Sequence, residues 1–147
     1  MRGFLKLGFR LTLCVPFCLA LGCGKSTPAV TLAPVSGRVQ LDGKPLAKAK
    51  LEFYPVGEDG KASPSLGPDS YADTDVQGNY TLKTSDGRDG AVVGKHKVSI
   101  SLIDREHARE HKGRINILPE KYNGSTTLKW DVTAEGTKEA NFALSLK

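Results

Sequence analysis

The sequence predicts an all-β fold, an antiparallel β-sandwich of about seven short strands. In several segments after residue 35, apolar residues alternate with polar ones, and turn-forming residues separate these segments. No long amphipathic helical pattern interrupts them. We therefore expect one domain at residues 35–147, preceded by a signal peptide at residues 1–22 and a flexible tether at residues 23–34.

Residues 1–22 have the pattern of a secretory signal peptide. Arg2, Lys6 and Arg10 supply positive charge, and residues 11–22 are then uncharged and mostly apolar. The apolar run is shorter than the roughly 20 residues that a membrane-spanning helix needs, and Pro16 interrupts it. These features favour export over a transmembrane anchor or a buried helix.

The signal ends in LALGC at positions 19–23, which resembles the lipobox of bacterial lipoproteins. The resemblance implies that Cys23 is acylated on sulfur and becomes the first residue of the mature chain. Gly22 fits the pattern, Leu19 stands one place early, and Cys14 and Cys18 lack a small residue before them. The alternative is ordinary cleavage near Gly22. We expect attachment to the membrane through lipid at Cys23, in the bacterial cell envelope and facing the periplasm or the exterior.

Composition limits what the domain beyond Cys23 can be. All three cysteines lie at or before residue 23, so the domain has none for a disulfide. The chain has a net charge of +5, and three of its positive charges lie in residues 1–10. The rest of the chain therefore has only a weak net positive charge, which does not favour nucleic-acid binding. Residues 24–34 are small, polar and proline-bearing, which indicates an unstructured linker.

Alternation predicts the inward positions of each strand. They are Val35, Gly37, Val39 and Leu41; Ala47, Ala49, Leu51 and Phe53; Tyr80 and Leu82; His96, Val98, Ile100 and Leu102; Leu128, Trp130 and Val132; and Ala140, Phe142, Leu144 and Leu146. Residues 71–74 are a further short strand candidate, and Asp42-Gly43 predicts a hairpin turn. Residues 55–68 and the charged residues 104–113 are predicted to be surface loops.

Several motifs resemble carboxypeptidase regulatory-like domains, which have a transthyretin-like fold. They are VSGRVQLDGKPL at 35–46, AKLEFYP at 49–55, TDVQGNY at 74–80 and GKHKVSI at 94–100. Small envelope lipoproteins with this domain also carry a segment like LPEKY at 118–122. The resemblance implies a transthyretin-like or Ig-like sandwich that serves as a folding or interaction module. Within the turn motif, we expect Gly78 to need a positive φ and Asp75 to accept hydrogen bonds from the turn amides.

Candidate metal sites are weak. HAREH at 107–111 matches the H-x-x-E-H motif, and on a helix His107 and His111 would share one face. A zinc protease also needs a third ligand and a large cleft, whereas the residues that follow have strand patterns; a solvated loop is the simpler interpretation. Asp69, Asp73 and Asp75 lack the ligand series of a calcium loop. The sequence therefore predicts no cofactor and no catalytic residue.

The leading interpretation is a non-enzymatic, membrane-anchored envelope lipoprotein that acts as a binding or structural interaction module. Its partner would be an envelope protein or a glycan. One alternative is a carbohydrate-binding module that uses Tyr71 and Tyr122, since exposed aromatic rings stack on sugars, although scattered surface tyrosines are common. A second alternative is a small metal-dependent enzyme that uses His107 and His111.

Overall fold

The computed structural model describes residues 29–104 and 115–147, and these residues fold as an all-β sandwich, which confirms the predicted fold class. Cys23, His107 and His111 lie outside the described residues. Within the described part of the chain, no helix has the length and apolar character needed to cross a membrane.

The regular elements of the described residues are short strands and two 3₁₀ turns, at Pro64–Leu66 and Glu120–Tyr122. In chain order the strands are β1 (Leu32–Ala33), β2 (Ser36–Leu41), β3 (Lys44–Pro45), β4 (Lys50–Pro55), β5 (Ser70–Asp73), β6 (Asn79–Thr81), β7 (Lys83–Thr84), β8 (Ala91–Val92), β9 (Gly94–Ser101), β10 (Ile103–Asp104), β11 (Ile115–Asn116), β12 (Lys129–Val132) and β13 (Phe142–Leu144).

Two main sheets form the sandwich. The larger has the strand order β12-β9-β4-β5-β7, and the smaller has the order β13-β2-β3, with β6 also paired to β2. Two short pairs, β1 with β8 and β10 with β11, complete the pairing. β13 runs parallel to β2, with Phe142 opposite Val39, so the prediction of a wholly antiparallel sandwich is wrong at this pair. β13 is not a hairpin neighbour of β2, and the long connection between them permits a parallel pairing.

The core lies between the inner faces of the two sheets. Phe53 of β4 is fully buried, and its ring centroid lies 6.1 Å from that of Phe142 of β13 in an edge-on contact. Most predicted inward residues are buried or half-buried. Leu146 is the clear exception at 53% exposed, because β13 ends at Leu144 and the alternation has no strand to continue on.

The domain begins before the predicted boundary at residue 35. Leu32–Ala33 pairs with Ala91–Val92, and Ala33 is only 1% exposed. The prediction of a flexible tether as far as residue 34 is therefore wrong for this segment. A two-residue strand is too short for alternation to distinguish it from a linker.

A turn between β5 and β6 joins the two sheets. Gly78 has a φ of +77°, and its carbonyl accepts a hydrogen bond of 2.8 Å from the Val39 amide of β2. The Asp75 carboxylate accepts hydrogen bonds of 2.8 Å from the backbone N–H groups of Gln77 and Asn79. The Asn79 N–H is the main cause of a lowered pKa for Asp75. Both Gly78 and Asp75 thus act in the architecture of the turn.

Candidate functional site

The structure does not bring Tyr71 and Tyr122 together. Tyr71 lies on β5, alternates with the buried Ser70 and Ala72, and is 44% exposed. Tyr122 is half-buried against the core, and its hydroxyl oxygen accepts a 2.9 Å hydrogen bond from the Ser145 amide. Tyr122 therefore fastens its 3₁₀ turn to the C-terminal segment, and of these two tyrosines only Tyr71 is exposed on the large sheet.

The outer face of the large sheet is polar and carries two tyrosines. Residues opposed across strands share one face, and the register places Tyr54 opposite Lys97 and Lys97 opposite Lys129. These three residues form one row across β4, β9 and β12. The adjacent row holds Tyr71, Glu52 and Ser99. We call the face made by these two rows the outer face.

Three adjoining hollows run along the outer face beside the loop at residues 56–69. Hollow 1, about 420 Å³, lies between Tyr54 and the loop; hollow 2, about 340 Å³, lies between Tyr54 and Lys97. Hollow 3, about 740 Å³, lies between the start of the loop and strands β9 and β12. Hollows 1 and 2 share Tyr54 and Ala62, and hollows 2 and 3 share Lys97 and Thr126. They therefore form a continuous series.

Tyr54, which borders hollows 1 and 2, keeps its proton over a wide pH range. Burial raises the pKa of Tyr54 to about 12, with further contributions from a hydrogen bond to Glu52 and from the charges of Glu52 and Asp69. Burial, followed by the charge of Glu52, also raises the pKa of Asp69. No ion pair reaches Asp69 from the described residues. Hollow 1 is thus an acidic, hydroxyl-bearing pocket.

Hollow 3 carries charges of both signs. Lys95, Lys97 and Lys129 line it together with Glu58 and Asp131. The Lys95 ammonium lies 2.8 Å from the Glu58 carboxylate, which raises the pKa of Lys95 through a hydrogen bond. Lys97 and Lys129 make no ion pair within the described residues. Asp131 makes no ion pair there either, so the lysine pair exceeds it by one positive charge, and the excess positive charge of hollow 3 lies on Lys97 and Lys129.

Two nitrogen atoms on the inward side of the same strands have no hydrogen-bond partner within the described residues. They are His96 Nε2 and Trp130 Nε1, on residues that face each other across β9 and β12. His96 is 1% exposed, and its Nδ1 lies 2.9 Å from the Gly94 carbonyl. Burial lowers the pKa of His96 despite the opposing effects of Gly94 and Asp131. The ring is therefore neutral at neutral pH, with Nδ1–H donating to Gly94.

Stability should fall as the pH decreases below the pKa of an unfolded histidine, about 6.5. The folded pKa of His96 lies below that value, so in this window the unfolded chain binds a proton that the folded chain does not. We expect a loss of up to about 1.4 kcal/mol per pH unit from the free energy of unfolding. Urea unfolding at several pH values measures it.

His96→Leu should flatten this slope, whereas the double variant His107→Gln/His111→Gln should retain it. These three residues are all the histidines of the chain, so the two variants together account for every imidazole. An unchanged slope in His96→Leu would show that the buried imidazole is not the group responsible.

The described residues contain no group of three His, Cys, Asp or Glu side chains that could hold one metal ion. Asp69, Asp73 and Asp75 thus do not assemble into a calcium site. Asp69 borders hollow 1, Asp73 stands opposite Lys50 in the sheet, and Asp75 belongs to the β5–β6 turn.

The lysine pair of hollow 3 is not among the site residues that the sequence predicts. Alternation in the sequence already places Lys97 and Lys129 on the wet faces of two predicted strands. Only the pairing of β9 with β12 brings them side by side. Comparisons of the chain with protein-family models, curated proteins and solved structures found no match. The family resemblance drawn from sequence motifs therefore remains a prediction.

Proposed function

We propose that this protein is a membrane-anchored lipoprotein of the bacterial envelope, and that its β-sandwich is a non-enzymatic binding module. The observation that carries the proposal is the continuous series of three hollows on the outer face. Concave sites that carry a few polar groups are typical of ligand binding.

The anchor in this proposal is lipid on Cys23. Each buried methylene of an acyl chain contributes about 0.8 kcal/mol, so two chains give stable attachment. At about 3.5 Å per extended residue, residues 24–29 reach about 20 Å. The domain would therefore work close to the membrane surface, within reach of envelope polymers and membrane proteins.

A glycan chain is the ligand that the outer face favours. Three hollows in series suit a linear polymer better than one compact molecule. Tyr54 lies between hollows 1 and 2, and exposed Tyr71 lies in the adjacent row. Aromatic rings of this kind pack on sugar rings, while the Tyr54 hydroxyl and nearby carboxylates provide partners for sugar hydroxyls. An envelope protein that docks on the same face is the other candidate partner.

Crosslinking in living cells tests the proposal. A diazirine-bearing amino acid at position 71 lies on the outer face, and one at position 76, where Val76 is 75% exposed in the β5–β6 turn, is the matched control. We expect irradiation to join the ligand to position 71 and to leave position 76 unjoined. Mass spectrometry of the product then identifies sugar or protein.

Crosslinks at position 76 without any at position 71 would contradict the outer face as the binding surface. Equal yields at both positions would contradict it as well, since they would indicate random collisions at the membrane.

A further inference from the structure

Lys97 and Lys129 form an unusual pair on the outer face. They are directly opposed across β9 and β12, and both are exposed. Like charges at directly opposed positions of a sheet lower its stability. Neither ammonium group is compensated by an ion pair within the described residues, whereas the neighbouring Lys95 is held by Glu58. A pair that weakens the sheet and is left uncompensated is well placed to receive an anion.

The surroundings of the pair indicate what kind of anion fits. The two lysines line hollow 3, the largest of the three, together with the exposed Thr127. Lys97 also borders hollow 2, where Tyr54 stands opposite it in the sheet. If the acid group of a ligand lay between the two ammonium groups, the rest of the ligand would thus contact hydroxyl groups and an aromatic ring. Acidic sugars combine these features.

We propose that hollow 3 binds the acid groups of an anionic polysaccharide, with Lys97 and Lys129 as the residues that select for acid. This inference rests on the proposed function, in which the outer face binds a glycan chain, and it adds the charge of that chain. Ammonium–carboxylate contacts are charge-assisted hydrogen bonds and so contribute more than neutral ones. Hollows 1 and 2 then accept the neighbouring sugars.

A flat anionic membrane fits the outer face less well. Asp69 lines hollow 1 and Asp131 lines hollow 3, and neither makes an ion pair within the described residues, so lipid phosphates laid across the face would meet unpaired carboxylates as well as lysines. A polysaccharide such as hyaluronate, in which acidic and neutral sugars alternate, avoids this repulsion because a neutral sugar can lie against the carboxylates. Charge complementarity therefore favours the polysaccharide.

The test uses full-length protein in detergent and the double variant Lys97→Gln/Lys129→Gln. The probes are hyaluronate, whose acidic and neutral sugars alternate, and polygalacturonate and alginate, whose sugars are all acidic. Fully methyl-esterified polygalacturonate is the uncharged match to polygalacturonate. Lys44→Gln/Lys138→Gln is the control variant, since it removes the same charge from exposed positions that line none of the three hollows. Calorimetry gives the affinities.

We expect wild-type protein and the control variant to bind at least one acidic polysaccharide, and the double variant to bind it about tenfold more weakly. Removal of the like-charge pair should leave the melting temperature unchanged or higher. Binding of the methyl-esterified polymer, where it occurs, should be the same in all three proteins.

Several results would overturn the inference. One is no binding of any acidic polysaccharide by the wild-type protein. Another is an equal loss in the control variant, which would indicate attraction by net charge alone. A third is tighter binding to phosphatidylglycerol vesicles than to the polysaccharides, lost in the double variant, which would assign the pair to the membrane. In each case crosslinks from position 71 would still decide the proposed function separately.

Discussion

Gly78→Ala should destabilise the domain by about 3–5 kcal/mol, a large part of the stability of a domain of this size. A φ of +77° costs a residue with a side chain about 1–2 kcal/mol. A Cβ atom at this position would also lie 2.4 Å from the Val39 carbonyl oxygen and 3.1 Å from the Leu46 nitrogen. Both are backbone atoms, and relief of the clash would strain the bonds from Val39 N to the Gly78 carbonyl and from Leu46 N to the Val39 carbonyl.

Gly43→Ala is the matched control for this prediction. Gly43 has nearly the same φ, +78°, but apart from its own atoms and those of its two chain neighbours, no atom lies within 4 Å of the position that a Cβ would take there. The substitution should therefore cost only the backbone term, about 1–2 kcal/mol. Urea unfolding followed by the fluorescence of Trp130, the single tryptophan, measures both variants. Equal losses would contradict the close packing of the β5–β6 turn against β2.

The sequence pattern predicts the layers of the fold well because one face of each sheet is buried and the other is wet. Under that condition a period of two identifies inward residues such as Phe53, Val98 and Ile100 without any knowledge of pairing. The pattern holds only where a strand exists. Alternation also predicts a strand through Ala47 and Lys48, yet Lys48 has a φ of +59° and the strand begins at Lys50.

The local sequence pattern does not predict which distant segments pair with each other. The parallel pairing of β13 with β2, and that of β1 with β8, depend on which segments the whole fold brings together. Prediction of binding residues is limited in the same way. The residues next to Tyr71 in the sequence are enough to place it on a solvent-exposed face. No sequence pattern relates Tyr122 to Ser145, so the hydrogen bond from the Ser145 amide to the Tyr122 hydroxyl could not be predicted.

Cys23→Ala should produce the largest functional change, because it removes the proposed attachment altogether. With about 0.8 kcal/mol for each buried methylene, loss of two acyl chains removes far more binding energy than any contact on the outer face supplies. We expect the wild-type protein in the membrane fraction after a high-salt wash, and its release only by detergent. The variant should lack the lipid and no longer be processed at residue 23. Cys18→Ala is the matched control and should behave as wild type.

The mass of the intact mature protein, purified from membranes, tests the anchored module most directly. We predict a chain whose first residue is Cys23, with the added mass of a diacylglyceryl group that is present in wild type and Cys18→Ala and missing in Cys23→Ala. An unmodified Cys23, or a membrane-bound chain that retains residues 1–22, would contradict the lipid anchor and with it the proposed place of this binding module in the envelope.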